Sequence, residues 1–251
     1  MTKTNTLNSD QKKLLSQISK TLASYATAAR KKQSMYFFKT GVGQYSEHDV
    51  FIGVSTPHTR LVAKQFQKAS QEIISTLLKS KIHEERYAAL EILVMQYEAL
   101  TDVQHKERKH IFDFYIKNTA GINNWDLVDC SASYIVGHFV FHYPKYRTVI
   151  KKLAKSNVLW ERRISIVALL YFTSQSQLDF VFEMAEKLLN EKHDLMHKAV
   201  GWVLREAGKK DEARLKNFLK TNYEKLPRTT LRYAIERFKP EERLKFLKGN
   251  F

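Results

Sequence analysis

Five stretches of this chain open polar and charged and then turn apolar at helical spacing: EERYAALEIL (84–93), WDLVDCSASYIV (125–136), WERRISIVALLYF (160–172), MHKAVGWVLRE (196–206) and RTTLRYAIERF (228–238). The first four openings fall 35 to 41 residues apart, the length of a two-helix repeat of the HEAT or TPR type, and a second helix is expected after each. Such a pair buries its apolar face only by stacking on its neighbours. The pattern therefore predicts an all-α, HEAT-like helical-repeat superhelix (an α-solenoid) with a concave surface. Successive polar openings would fall in register as a stripe of Lys, Arg, Trp and Asp along one face.

Composition agrees with long helices and short links, since only 8 Gly and 4 Pro occur in 251 residues. The chain reads as a single HEAT-like repeat domain over 1–251, with N-terminal helices and an irregular loop over 9–55 and stacked helix pairs over 56–251. A first amphipathic helix is expected over 9–32, where Leu14, Ile18, Leu22 and Tyr25 recur on one face. After a short aromatic segment at 35–39 comes GVGQYSEHDVFIGVSTPHTR, which reads as a loop. Its GVG lacks a following Gly-Lys-Ser/Thr and no strand precedes it, so it is not a phosphate cradle.

Lys and Arg outnumber Asp and Glu by 42 to 26, and the resulting charge of +16 favours a polyanionic partner, nucleic acid first. A membrane surface is the other candidate, but the apolar run at 164–172 falls well short of the roughly 20 residues that span a bilayer. The N-terminal MTKTNTLNSDQKK has no apolar core of the signal-peptide kind, and Cys130 has no internal disulfide partner. A cytoplasmic or nucleoid-associated protein is expected.

Within NNWDLVD, Trp125 and Asp129 are four residues apart and share a helix face, while Asp126 sits where a carboxylate complements the helix dipole. Asn123 or Asn124 can cap the helix. Asp126 is accounted for by the helix start. Asp129 is not, because it lies past the first unpaired N–H groups and would repel a polyanion. In the next repeat Trp160 and Arg163 share a face, and stacking would set Arg163 near Asp129. An inter-repeat salt bridge and a functional pair both fit that placement. Gly201, immediately before Trp202, leaves room for another helix or a ligand to approach, and a tightly packed tryptophan fits as well.

WDLVD, LWERR and KAVGWVLRE, in this order and at these separations, together with FIGVSTPHTR, resemble the AlkD-type DNA glycosylases of the DNA alkylation repair family. The resemblance runs from about residue 36 to 240. It implies HEAT-like repeats and a monofunctional enzyme that removes N3- and N7-alkylated purines from duplex DNA; no cofactor is expected, and a curved array with capped ends works as a monomer. It places the catalytic aspartate at Asp129, its partner arginine at Arg163 and the two lesion-facing tryptophans at Trp125 and Trp202. It further implies an open groove that grips the phosphate backbone without a tight base pocket. The stretch GVGQYSEHD is an insertion relative to the compact members of the family.

Trp160 has no such assignment, and Arg162 is structural or DNA-facing. Lys198, Arg228 and Arg232 are further candidates for phosphate contact, with a solvated basic face as the plain alternative for the last two. The pairs His138/His142 and His193/His197 lack the glutamate of HExxH and a third ligand, so they read as ordinary histidines and no metal is expected. Cys130 has no neighbouring base and reads as a small buried residue. A non-catalytic helical-repeat module for nucleic acid or an acidic protein is the competing function.

Overall fold

The computed structural model describes residues 7–101 and 103–251, and residues 1–6, half of the N-terminal segment read above, lie outside it. Among the described residues no strand forms. The single β-type contact is a parallel bridge between Val50 and Ile82. The chain packs as two compact units, Met1–Ser131 and Ala132–Phe251.

The first unit holds α1 (Ser9–Ser24), α2 (Ala28–Phe37), α3 (Thr56–Gln65), α4 (Gln71–Leu78), α5 (His83–Glu98), α6 (His105–Lys117) and α7 (Trp125–Asp129). Helix α1 opens on a capping box in which the Gln11 N–H donates to the Asn8 side chain and the Asn8 N–H donates to the Gln11 side chain, and it buries Ile18 and Leu22. The helix expected over 9–32 is in fact two. The break comes at Thr27, whose side chain caps the Arg30 N–H while its own N–H donates to the Gly53 carbonyl at 3.1 Å. Met35, Tyr36 and Phe37 accordingly belong to α2 rather than to a separate aromatic segment.

Only the first part of GVGQYSEHDVFIGVSTPHTR is irregular. Ser55 caps α3 and Pro57 sits in its first turn, where the missing N–H costs nothing. Gly53 is the pivot between loop and helix. Its φ is +92°, and a Cβ there would lie 2.3 Å from the Thr27 carbonyl oxygen and 2.6 Å from the Lys31 nitrogen.

Helix α5 is the core element of this unit. Its Ala88, Leu90, Ile92 and Leu93 are fully buried, with Ile73, Ile74 and Leu77 of α4 packed beside them. Its polar opening is buried too: His83, Glu84, Glu85 and Arg86 are each less than 10% exposed. This departs from the expected surface stripe of polar openings. The reason is that α5 spends these side chains on internal partners. The Glu84 carboxylate alone accepts the backbone N–H groups of Ile52, Gly53 and Val54 at 2.8 to 3.2 Å, satisfying donors that the loop could not pair otherwise.

The second unit begins with a π-helical turn, Ser133–Gly137, running into α8 (His138–His142). There follow α9 (Arg147–Leu153), α10 (Leu159–Val167), α11 (Leu169–Ser174), α12 (Asp179–Lys187), α13 (Asp194–Gly208), α14 (Glu212–Thr221), α15 (Arg228–Ala234) and α16 (Pro240–Lys248). The expected pairing is present here: the opening at 160 starts α10 and α11 and is followed by α12, that at 196 lies in α13 before α14, and that at 228 starts α15 before α16. Helices α13 and α15 pack closely through Gly201. A Cβ at that position would meet Tyr233 Cβ at 2.5 Å and the Thr230 carbonyl oxygen at 2.7 Å. The glycine beside Trp202 thus serves the approach of a helix.

Candidate active site

Asn124 starts α7, its Oδ1 accepting the Trp125 N–H at 2.8 Å, and the four-residue spacing then brings Trp125 and Asp129 to one cavity. The cavity, about 440 Å³, is also lined by Arg30, Gln33, Phe37, Phe38, Arg60, Tyr87 and Cys130. Both Trp125 and Asp129 are half-buried.

Trp125 is held by residues from well before it in sequence. Its ring stacks on Phe38 at 5.2 Å and 14°, meets Phe37 edge-on at 5.8 Å, and donates its Nε1–H to the Tyr45 hydroxyl at 3.3 Å. Phe38 stacks in turn on Phe51 at 4.9 Å, and Phe51 on His83 at 4.5 Å. The pile of rings ends on an imidazole that accepts no ordinary packing explanation.

His83 lies between two carboxylates, with Nδ1 3.2 Å from Asp49 and Nε2 2.8 Å from Asp126. Burial pushes the imidazole toward its neutral form, but the charge and hydrogen bond of Asp126, joined by the hydrogen bond of Asp49, overcome it and hold the pKa up to about 9. Asp49 is pushed up by its own burial, yet the His83 hydrogen bond and the Arg86 guanidinium bring it below its ordinary value. Arg86 donates to Asp49, and Asn124 donates Nδ2–H to Asp49 at 2.8 Å and to Ser46 at 2.5 Å. The buried side chains of His83 and Arg86 thus face the buried Asp49 carboxylate and the partly exposed Asp126, an arrangement of opposite charges that offsets their desolvation. Asp126 is more than a helix-start acid: it joins α7 to α5 through this network.

Two cations line the cavity wall, Arg30 of α2 and the last residue of FIGVSTPHTR, Arg60. Arg60 is 56% exposed, and the buried Glu91 orients it through a 3.0 Å ion pair while Nη2 donates to the Tyr87 hydroxyl at 3.3 Å. Burial, with Cys130 and Glu91 adding to it, keeps Tyr87 a neutral phenol. Burial also pushes the Cys130 thiol well up, and the carboxylates of Glu91, Asp126 and Asp129 act in the same sense. Cys130 is a thiol on the cavity wall and not a nucleophile. Arg30, Phe38, Tyr45 and Arg60 were not singled out from the sequence. The one signal available was that Arg60 ends the quoted FIGVSTPHTR motif.

In the second unit Arg163 is buried, 5% exposed, and donates Nη1–H to the Leu195 carbonyl at 2.6 Å. Trp160 is buried beside it on α10. Trp202 is half-buried and lines a hollow of about 400 Å³ with Leu170, Thr173, Glu206 and Lys209. Arg162 is engaged by the Ser156 carbonyl at 2.9 Å and by Glu191 at 2.6 Å. Lys198 pairs with Asp194 one turn before it, at 2.7 Å. Arg228 and Arg232 share the exposed face of α15, with Arg228 Nη2 donating to the Leu247 carbonyl at 2.9 Å.

Of the histidine pairs, His138 and His142 lie ring to ring at 4.4 Å, with His142 3.4 Å from the Tyr171 hydroxyl. His193 caps α13 through the Leu195 N–H, and His197 reaches the Glu191 carbonyl. Among the described residues no group of three potential metal ligands forms, and none of their helices is long and apolar enough to cross a membrane.

Helices account for all the regular structure among the described residues, and the chain falls in the class of helical-repeat proteins. The chain belongs to the DNA alkylation repair enzyme family, which it matches over residues 18–238. A predicted DNA alkylation repair enzyme from Enterococcus faecalis has a similar structure, with a TM-score of 0.66 and 16% identity over 86% of this chain and 97% of that one. AlkD2 from Streptococcus mutans gives a TM-score of 0.57 at 16% identity over 92% of this chain and 99% of that one. The smu.31 protein of Streptococcus mutans UA159 gives 0.52, also at 16% identity, over 94% and 97% of the two chains. No curated protein matches the chain.

Proposed function

We propose that this protein is a DNA glycosylase that hydrolyses the N-glycosidic bond of cationic N3- or N7-alkylated purines in duplex DNA. The observation that carries this reading is the shared cavity of Trp125 and Asp129, walled by the cations Arg30 and Arg60, in a chain of the DNA alkylation repair family.

Alkylation at N3 or N7 leaves a positive purine, a good leaving group, so the glycosidic bond breaks with positive charge growing on the deoxyribose. A carboxylate stabilises that charge and can orient the incoming water, as carboxylates do in glycosidases. Asp129 supplies it. The indole of Trp125 attracts the cationic base or the charged sugar through its π face, an interaction that strengthens as water is excluded, and Trp202, in its own hollow of the second unit, offers a π face of the same kind. The exposed Arg30, Arg60, Arg228 and Arg232 suit backbone phosphate, whereas Arg163, buried and donating to the Leu195 carbonyl, reaches phosphate only by leaving that partner. Arg162 and Lys198 contribute by exchanging their present carboxylate partners for phosphate.

The test is incubation of the purified protein with duplex DNA containing 7-methylguanine and quantification of free base. Release above the spontaneous rate is expected. Binding without release would leave a non-catalytic DNA-binding module.

A further inference from the structure

The segment GVGQYSEHD (41–49) lies in the loop between the end of α2 at Phe37 and the start of α3 at Thr56, and nothing in the reaction above uses it. It is nevertheless pinned at several points. Lys39 leaves α2 with a φ of +54°. Ser46 and Asp49 are both held by Asn124, Asp49 also by His83 and Arg86, and Val50 bridges to Ile82. Between the two ends of the loop stands Tyr45, whose hydroxyl accepts the indole N–H of Trp125.

Ring stacking such as that of Trp125 on Phe38 is broad in its preferred geometry and permits the indole to slide or rotate in its own plane. A hydrogen bond to the ring nitrogen is directional and removes that freedom. Phe38 covers one face of the indole, and the cavity receives what remains exposed.

We propose that Tyr45 is a positioning residue: it fixes the in-plane orientation of Trp125, and the buried anchorage of the loop at Asp49 keeps Tyr45 in place to do so. The inference rests on the reading of Trp125 as a substrate-facing residue. Tyr45 does not line the cavity, so the effect it exerts through Trp125 falls on the rate of bond cleavage and not on DNA affinity.

The experiment uses Tyr45→Phe, which keeps the ring and removes the acceptor. Three tryptophans give three indole N–H signals in a proton–nitrogen correlation spectrum, and Trp125→Phe identifies one of them. In Tyr45→Phe that signal alone should move upfield. Single-turnover release of 7-methylguanine should fall about tenfold, the scale on which lost orientation slows a reaction, with thermal stability and DNA affinity unchanged. An unmoved indole signal, an unchanged rate, or a loss of DNA affinity in place of rate would each overturn the proposal. Failure of the wild type to release base would overturn the enzyme reading and the rate effect with it, while the indole signal would still decide whether Tyr45 holds Trp125.

Discussion

His83 shows how one side chain can tie a site to its scaffold. Its ordinary pKa is 6.5 and the folded protein holds it up to about 9, so its charged pairing with Asp49 and Asp126 stabilises the fold fully below pH 6.5 and is lost as pH rises through 9. Asp49 is shifted the other way, so its contribution is present above its ordinary value of 3.8 and lost in stronger acid. The raised pKa of a group this buried corresponds to about 3 kcal/mol. Denaturant unfolding at pH 6 and pH 9.5 should therefore show the wild type losing stability between the two, with His83→Gln losing less. An equal loss in both proteins would mean that His83 does not carry the charge assigned to it.

At the level of elements, two close approaches depend on glycine. Gly53→Ala would combine a left-handed φ with a Cβ 2.3 Å from a backbone oxygen, and should cost roughly 3 kcal/mol or more. Gly201→Ala would press on Tyr233 and Thr230 across the α13–α15 contact, at about 1 to 3 kcal/mol. Calorimetric melting of the two variants orders them, and a Gly53→Ala protein as stable as the wild type would contradict the geometry. The five helix openings from 84 to 238 and their order were legible in the sequence because apolar spacing is local. The break at Thr27 was not, since it depends on a hydrogen bond to Gly53, 26 positions away. The placement of Trp125 and Asp129 on one face was legible from their spacing. Phe38, Tyr45 and Asp49 were hidden because they reach α7 and its cap across the fold, and the charged opening of α5 looked like surface because its partners lie far off in sequence, in the 46–54 loop, α1 and α7.

For the whole molecule, the charge of +16 sets the character of DNA binding. Neutralising about four phosphates would lower affinity roughly a hundredfold between ~50 and ~200 mM salt, with little dependence on sequence. A flat response would point to a partner other than nucleic acid. That surplus of cations brings DNA to the protein, but the catalytic claim rests on a carboxylate among them. The decisive measurement is the single-turnover release of 7-methylguanine from duplex DNA by wild type and by Asp129→Asn, a substitution that keeps size and removes charge. The expected result is a loss of about a hundredfold or more in rate, with melting temperature and DNA affinity retained. Equal release by the two proteins would contradict the role given to Asp129.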